Sequence, residues 1–412
     1  MNIRIDSDRI LSELDTLAGF SDAEAPAVTR VVFTPTDLQA RTWIKNRFEE
    51  AGLLVREDAV GNTSARWEGS QPDLPSVGTG SHVDAIPNAG RYDGTVGVLG
   101  GLEAIRALQA VNFQPRRSIE LLLFTSEEPT RFGIGCLGSR LLSGGLSAEA
   151  ARALRDREGQ SLEKVRTAAG FRGLLEEVPL SAGYYSAFVE LHIEQGPILE
   201  REKIALGIVT DIAAPASMRI WVEGEGGHAG AVLMPQRQDA LTAAAELVLS
   251  VESAALSTGV IDTVATTGIC DVFPGAVNSV PSRVRLEIDV RDVEGERRNM
   301  VLGLIQQAVE RVRDKRRVAI RTELLNADAP ARCSDAVVQT LTEACRAQGC
   351  SATPMISRAY HDTLFMARIA PVSMLFIPCK NGVSHRPDEY AGPEDITNGV
   401  RVLAHALAQL AS

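Results

Sequence analysis

Halfway along the chain the apolar pattern changes its order, and that change constrains the fold more than any other feature. Before about Ala213 extended and helical patterns alternate, whereas from there to Asn326 they run strand, helix, strand, strand, helix, strand. In this block MRIWVEG reads as a strand, Gln236–Ser253 as a helix, Thr263–Asp271 and Val284–Val290 as strands, Val293–Arg313 as a long helix, and Val318–Leu324 as the closing strand. That order is the ferredoxin-like pattern of a small α+β domain. After Asn326 the first pattern resumes, with a strand at Ser373–Pro378 and a last helix after Gly392-Pro393. The expectation is an α/β fold: a discontinuous α/β/α domain built from residues 1–212 and 327–412, interrupted by an α+β domain at 213–326. The basic run Arg311–Arg317 at the end of the long helix reads either as a partner patch or as a solvated face complementing the helix dipole.

The first part supplies the sheet. Candidate strands lie at Leu53–Arg56, Ser64–Trp67, Ser76–Thr79 and Ile119–Thr125, and Val96–Ala110 has helical character despite Gly97, Gly100 and Gly101. An earlier helix would begin at a capping box of Thr36 with Gln39, place Ala40, Ile44, Phe48 and Ala51 on one face, and stop at Gly52. A chain of 412 residues, 45% hydrophobic and 23% charged, is neither disordered nor collagenous. It is long enough to bury its cores without a metal or a disulfide, so a metal site would need a functional reason.

The charge balance, 42 basic against 53 acidic residues and a net −11, argues against a general nucleic-acid or anionic-membrane binder. A small anionic substrate remains compatible, because a pocket can be locally positive. The six cysteines form no CxxC pair and read as reduced thiols. The amino-terminal MNIRIDSDRILSEL has acids where a signal peptide has an apolar core, and no apolar stretch approaches about 18 residues, so a cytoplasmic protein is expected.

Histidine is scarce, at six residues, which makes its placement informative. His405 sits in a plain helical context, VLAHALAQL, and is assigned a structural role. The other five fall among Gly, Asp, Glu and Asn at the ends of elements. His82 and Asp84 follow a strand in GSHVDAIPNAGRYDG, and Asp93 lies in the Gly-rich turn before a helix; alone, these read as loop polar residues. They do not stand alone. Glu127 and Glu128 end the strand pattern SIELLLFTSEE, His192 ends FVELHIEQGP, and His385 follows SMLFIP. Four β-like segments thus bring imidazoles or carboxylates to what should be the carboxyl edge of one sheet, where α/β proteins bind ligands. The mixed donor set His82, Asp93, Glu128, His192 and His385 suits two borderline divalent cations bridged by a carboxylate. Adjacent side chains in extended backbone diverge, which would leave Glu127 unliganded as a general base, and Asp84 is placed to orient His82.

These residues, in this order, resemble the allantoate, ureidoglycolate and N-carbamoyl amino acid amidohydrolase branch of the dinuclear metallopeptidase and acylase superfamily. The resemblance runs from near residue 36 to the final helix, through GSHVDAIPNAGRYDG, FTSEEPTRFGIGCLGSR, ELHIEQGPILE, GEGGHAGAVLMPQRQDA, PGAVNSVP and IDVRD. It implies one metal site at His82, Asp93 and His192 and another at Asp93, Glu128 and His385, with Asp93 bridging and Glu127 shuttling protons. It also implies that the inserted domain serves as lid and homodimer interface. His228, by itself readable as a satisfied core histidine, is similar to the residue that steadies an oxyanion in the neighbouring subunit's site. Asn278 and Arg291, readable as a turn residue and a surface ion-pair partner, become the grip on a substrate carboxylate, and Gln195 becomes a ligand for a ureido group.

The segment SRAYHD departs from the Gly-Ala-Gly-His-Asp run of carbamoyl amino acid hydrolases while keeping His361 and Asp362. Tyr360 would narrow the pocket, favouring a small polar substrate. The expectation is hydrolysis of (S)-ureidoglycolate in purine-ureide catabolism, by a bacterial-type cytoplasmic form without the targeting segment of plant members. The same chemistry fits allantoate or N-carbamoyl-L-amino acids. A non-catalytic metal-binding sensor or scaffold is the alternative of another class, against which the unliganded Glu127 speaks. Ligand softness allows Zn²⁺, Mn²⁺, Co²⁺ or Ni²⁺, with Mn²⁺ favoured by the resemblance.

Overall fold

A computed structural model describes residues 3–412. The chain divides into two compact units, residues 1–210 with 333–412 and residues 211–332.

The first unit is built on a mixed sheet. Its central strands Val372–Ile377, Tyr185–Ile193, Ser76–Ser81 and Ile119–Leu123 are parallel neighbours in that order. Thr63–Trp67 and Leu54–Glu57 extend it antiparallel on one side and Leu206–Ile212 on the other. The central strands are buried almost throughout, as expected of parallel strands covered on both faces. The helices Thr95–Ala110 and Pro393–Leu410 pack on these strands and on each other. Their glycines permit it. A Cβ at Gly97 would lie 2.4 Å from the Leu191 carbonyl oxygen, at Gly101 2.6 Å from Leu121, and at Gly399 2.5 Å from Ile377. The glycines in the first helix therefore reflect close seating on the sheet rather than weak helical character.

The helix expected to open at Thr36 spans Pro35–Glu50, with Thr34 as its N-cap. The Thr34 hydroxyl accepts from the Asp37 N–H, and the Asp37 carboxylate accepts from the Phe33 N–H. The capping motif therefore starts two residues before the expected one, with Pro35 in the first turn where its missing N–H costs nothing. Ala40, Ile44 and Phe48 are buried as expected, while Ala51 is only half-buried.

The second unit carries the antiparallel strands Val264–Phe273, Arg283–Asp292, Ala214–Glu223 and Ala319–Ala327 in that spatial order. Val284, Leu286, Ile288 and Val290 point into a core shared with the helices Ala240–Leu256 and Gly295–Arg316. Both helices begin later than their periodicity suggested. Asp239 caps the first by accepting from the Leu241 and Thr242 N–H groups, so Met234–Gln236 is a separate 3₁₀ turn. Within the basic run, Lys315 and Arg316 pair with Glu246 and Arg313 pairs with Glu310, which favours the solvated-face reading. Among the described residues no helix is long and apolar enough to cross a membrane.

Candidate active site

The parallel strands of the first unit end on one edge, and five of the singled-out side chains meet there. His82 directly follows Ser76–Ser81, and His192 is the penultimate residue of Tyr185–Ile193. Asp93 precedes Gly94, whose φ of 66° turns the chain into the helix Thr95–Ala110. A side chain at Gly94 would collide with the His82 ring, its Cβ lying 2.4 Å from Nε2. The strand leading to Glu127 and Glu128 stops at Leu123, five residues short of the Glu128 end that the alternation argument assumes. Ser126 takes a positive φ of 56°, so the chain turns just ahead of the two acids, which lie beyond the pleat of the strand. His385 itself has a φ of 59°. Such left-handed residues are costly and concentrate where a site dictates the backbone.

Asp93 is the hub. Its Oδ1 lies 3.5 Å from His82 Nε2 and 3.2 Å from His192 Nε2, and its Oδ2 lies 3.4 Å from His385 Nε2. His385 Nε2 is also 3.2 Å from Glu128 Oε1. Two groups result, His82 with Asp93 and His192, and Asp93 with Glu128 and His385, each having its donor atoms within 4.8 Å of one another. Each buried imidazole is oriented through its other nitrogen: His82 Nδ1 meets the Asp84 carbonyl at 3.1 Å and His192 Nδ1 the Ile193 carbonyl at 2.9 Å. Asp84 thus steadies His82 through its backbone, while its carboxylate accepts from the Glu127 and Glu128 N–H groups at 3.2 and 3.0 Å.

The electrostatics are those of a cation site. Asp93, Glu127 and Glu128 are buried, and their ion pairs run to imidazoles. Burial works to raise Asp93, yet its bonds to His192, His385 and His82 hold it well below the usual carboxylate range. Hydrogen bonds to Asp93 and Glu128 push His385 up to about 11. Burial drives Glu127 well above the ordinary glutamate value, with the neighbouring Glu128 adding to it, and burial moves Asp84 up to about 6. Two buried imidazoles, the exposed His385 ring and several buried carboxylates suit borderline divalent cations, which would replace the protons now balancing the acids.

Glu127 carries no ligand role in either group. Its Oε2 is 3.8 Å from His82 Nε2 and its Oε1 accepts from the Cys136 thiol at 3.5 Å. Gln195, expected on a ureido group, donates from Nε2 to Asp93 Oδ2 at 2.6 Å, and its buried Oε1 has no partner among the described residues. His361 is buried with its ring across His192, centroids 4.5 Å apart, and forms a further close group with Glu190 and His192. Burial and Glu190 raise the adjoining Asp362 to about 8. Tyr360 is half-buried; its hydroxyl accepts from Arg140 Nη2 at 2.6 Å and its ring stacks on Phe365.

In the second unit His228 and Asn278 come together. The strand Gly227–His228 pairs with Ser279–Val280, the Ala229 N–H reaches the Asn278 carbonyl at 2.9 Å, and both side chains are exposed. Arg291 is not with them. It sits near the far end of Arg283–Asp292, a strand of 10 residues that spans about 30 Å at roughly 3.4 Å per residue, and bonds Asp289 at 2.7 Å. Sequence reasoning missed Arg140, Cys136, Ser384 and Glu389. The first two lie in the quoted FGIGCLGSR, and the last two flank His385 without any periodic signal.

A buried His, Asp and Glu constellation on the carboxyl edge of such a sheet defines a metallohydrolase class, and the chain belongs to peptidase family M20/M25/M40, whose model matches residues 78–409. Enzymes of this family use dinuclear metal sites. The chain is 52% identical to a ureidoglycolate hydrolase of Arabidopsis thaliana, across 99% of this chain and 87% of the relative. It is 38% identical to an N-carbamoyl-L-amino acid amidohydrolase of Geobacillus stearothermophilus, across 99% of each. The crystal structure of AtUAH in complex with (S)-hydroxyglycine superposes with a TM-score of 0.91 at 51% identity, covering 99% of this chain and 98% of that one.

Proposed function

We propose that this hydrolase cleaves the ureido carbon–nitrogen bond of (S)-ureidoglycolate, consuming one water and yielding hydroxyglycine, ammonia and CO2. The observation that carries the reading is Glu127, a buried acid outside both donor groups yet 3.8 Å from His82. A sensor or scaffold has no use for it. His82, Asp93 and His192 would hold one cation and Asp93, Glu128 and His385 the other, with Mn²⁺ favoured and Zn²⁺, Co²⁺ or Ni²⁺ compatible. Bound there, two divalent ions supply Lewis acidity, lowering the pKa of water and offsetting negative charge on the carbonyl oxygen.

The remaining work belongs to side chains. Glu127 takes a proton from the attacking water and returns it to the departing nitrogen, a task open to an acid that neither donor group engages. Asp84 holds Glu127 and Glu128 by their backbone N–H groups, so the base keeps its place. Tyr360, clamped by Arg140, limits the pocket to a small polar substrate. His228 and Asn278 would steady the oxyanion and the substrate carboxylate, and Arg291 would grip that carboxylate.

The separation of Arg291 from His228 and Asn278 supports a homodimer. A short acid cannot reach both ends of one strand in one copy, whereas two copies can each lend one end. The reading therefore includes residues 213–326 as lid and dimerisation domain, and a cytoplasmic enzyme. Turnover of the purified protein with Mn²⁺ on ureidoglycolate, allantoate and N-carbamoyl amino acids tests it: ureidoglycolate should be preferred, and exclusive use of N-carbamoyl amino acids would reject the Tyr360 argument.

A further inference from the structure

We propose that Glu389 is a positioning residue for the cation centre, clipping the turn that presents Asp93 to the loop that carries His385. The inference rests on the reading of Asp93 and His385 as metal ligands. Glu389 is 4% exposed. Its Oε1 accepts from the backbone N–H groups of Tyr92 at 2.7 Å and Asp93 at 3.1 Å. Those N–H groups lie just ahead of the helix Thr95–Ala110, where a chain has donors that its own helix does not satisfy. Its Oε2 is 2.9 Å from Ser384 Oγ, which is itself 2.7 Å from Asp93 Oδ2.

Ser384 directly precedes His385, so one buried carboxylate ties both ligand-bearing segments across nearly three hundred residues of sequence. The fold makes room for it at Gly90. A Cβ there would fall 2.3 Å from the Glu389 Cβ and 2.4 Å from its Oε1. Burying a carboxylate on main-chain donors is costly for a mere loop tether, since an apolar contact would do that task. The geometry instead fixes Asp93, whose two oxygens must face three imidazoles at once.

The chemistry predicts which substitution rescues. In Glu389→Gln the amide oxygen still accepts from Tyr92 and Asp93, and the amide N–H donates to Ser384 Oγ, leaving the hydroxyl proton for Asp93. In Glu389→Ala all three bonds are lost. Metal-free wild-type, E389Q and E389A proteins should be titrated with Mn²⁺ by calorimetry, with free ion followed by paramagnetic resonance. The expected result is affinity weaker by about 10- to 100-fold in E389A and within about threefold of wild type in E389Q. Gly90→Ala, which evicts the carboxylate without altering it, and Ser384→Ala should follow E389A, and they carry the test if E389A does not fold. Wild-type affinity in E389A or, failing that variant, in both G90A and S384A would overturn the proposal, as would an E389Q as weak as E389A. A wild-type protein that binds no Mn²⁺, Zn²⁺, Co²⁺ or Ni²⁺ would overturn the ligand reading itself, and this proposal with it.

Discussion

His82, Asp93, Glu128 and His192 lie buried on the first unit, while His228 and Asn278 stand exposed on the second and Arg291 rests half-buried against Asp289. The two sets are held at different cost. Taking several carboxylates and imidazoles out of water at one point is unfavourable unless something of opposite charge joins them, which is why we read the first set as built for cations. The exposed set costs little to hold, and its energy can appear only when a ligand arrives. Substitutions in the first should therefore destroy rate or metal binding, and those in the second should weaken substrate binding.

The largest effect tests the first half of that contrast. Glu127→Gln removes the proton acceptor but touches neither donor group, so kcat should fall by about 10²- to 10⁴-fold with both ions retained by elemental analysis. Activity within about tenfold of wild type would remove Glu127 from its role. The second prediction asks whether the exposed set serves a neighbouring copy. Mixed in equal amounts and allowed to exchange, Glu127→Gln and His228→Ala should regain about one quarter of wild-type activity. Half the dimers would then be mixed, and each mixed dimer would have one site with both residues intact. No recovery on exchange would place His228 outside its neighbour's site.

The contrast also explains what the sequence disclosed. His82, His192 and His385 are legible because histidine is rare here and each falls at a strand end or in the loop that follows one. Asp93 and Glu128 followed from that placement. Glu389 was not legible, because its partners are main-chain N–H groups of Tyr92 and Asp93, and backbone donors leave no mark on composition. Thr36 with Gln39 makes a familiar box in the sequence, yet the cap is Thr34, with Asp37 serving the reciprocal purpose. Gly97 and Gly101 looked like flaws in a helix until Leu191 and Leu121 showed how close the sheet comes. The separation of Asn278 from Arg291 could have been counted, since a full strand lies between them.

A smaller effect should mark the exposed set. Arg291→Ala should raise KM about 10- to 100-fold, the range expected when a hydrogen bond to a charged group is lost, with metal content unchanged and kcat little altered. A fall in kcat with KM constant would move Arg291 from binding the substrate to stabilising the transition state. Arg291→Lys should recover only part of the loss, because an ammonium cannot reproduce the two-pronged guanidinium contact with a carboxylate.

The smallest effect belongs to Tyr360, which lies between the two regimes. Its ring is packed on Phe365, and its hydroxyl is held by an Arg140 whose guanidinium sits 4.2 Å from the Phe365 ring centroid. Tyr360→Phe keeps the ring and deletes the bond, so the pocket should keep its width while its edge loosens. The ratio of kcat/KM for ureidoglycolate over allantoate should fall by roughly 3- to 10-fold, the worth of one hydrogen bond of about 1 kcal/mol. Tyr360→Gly would remove the width as well and should shift that ratio further. If Tyr360→Phe and Tyr360→Gly change it equally, selectivity comes from the hydroxyl and not from the bulk of the ring. If neither changes it, selectivity resides wholly elsewhere in the site, and the half-buried residue groups with the structural ones.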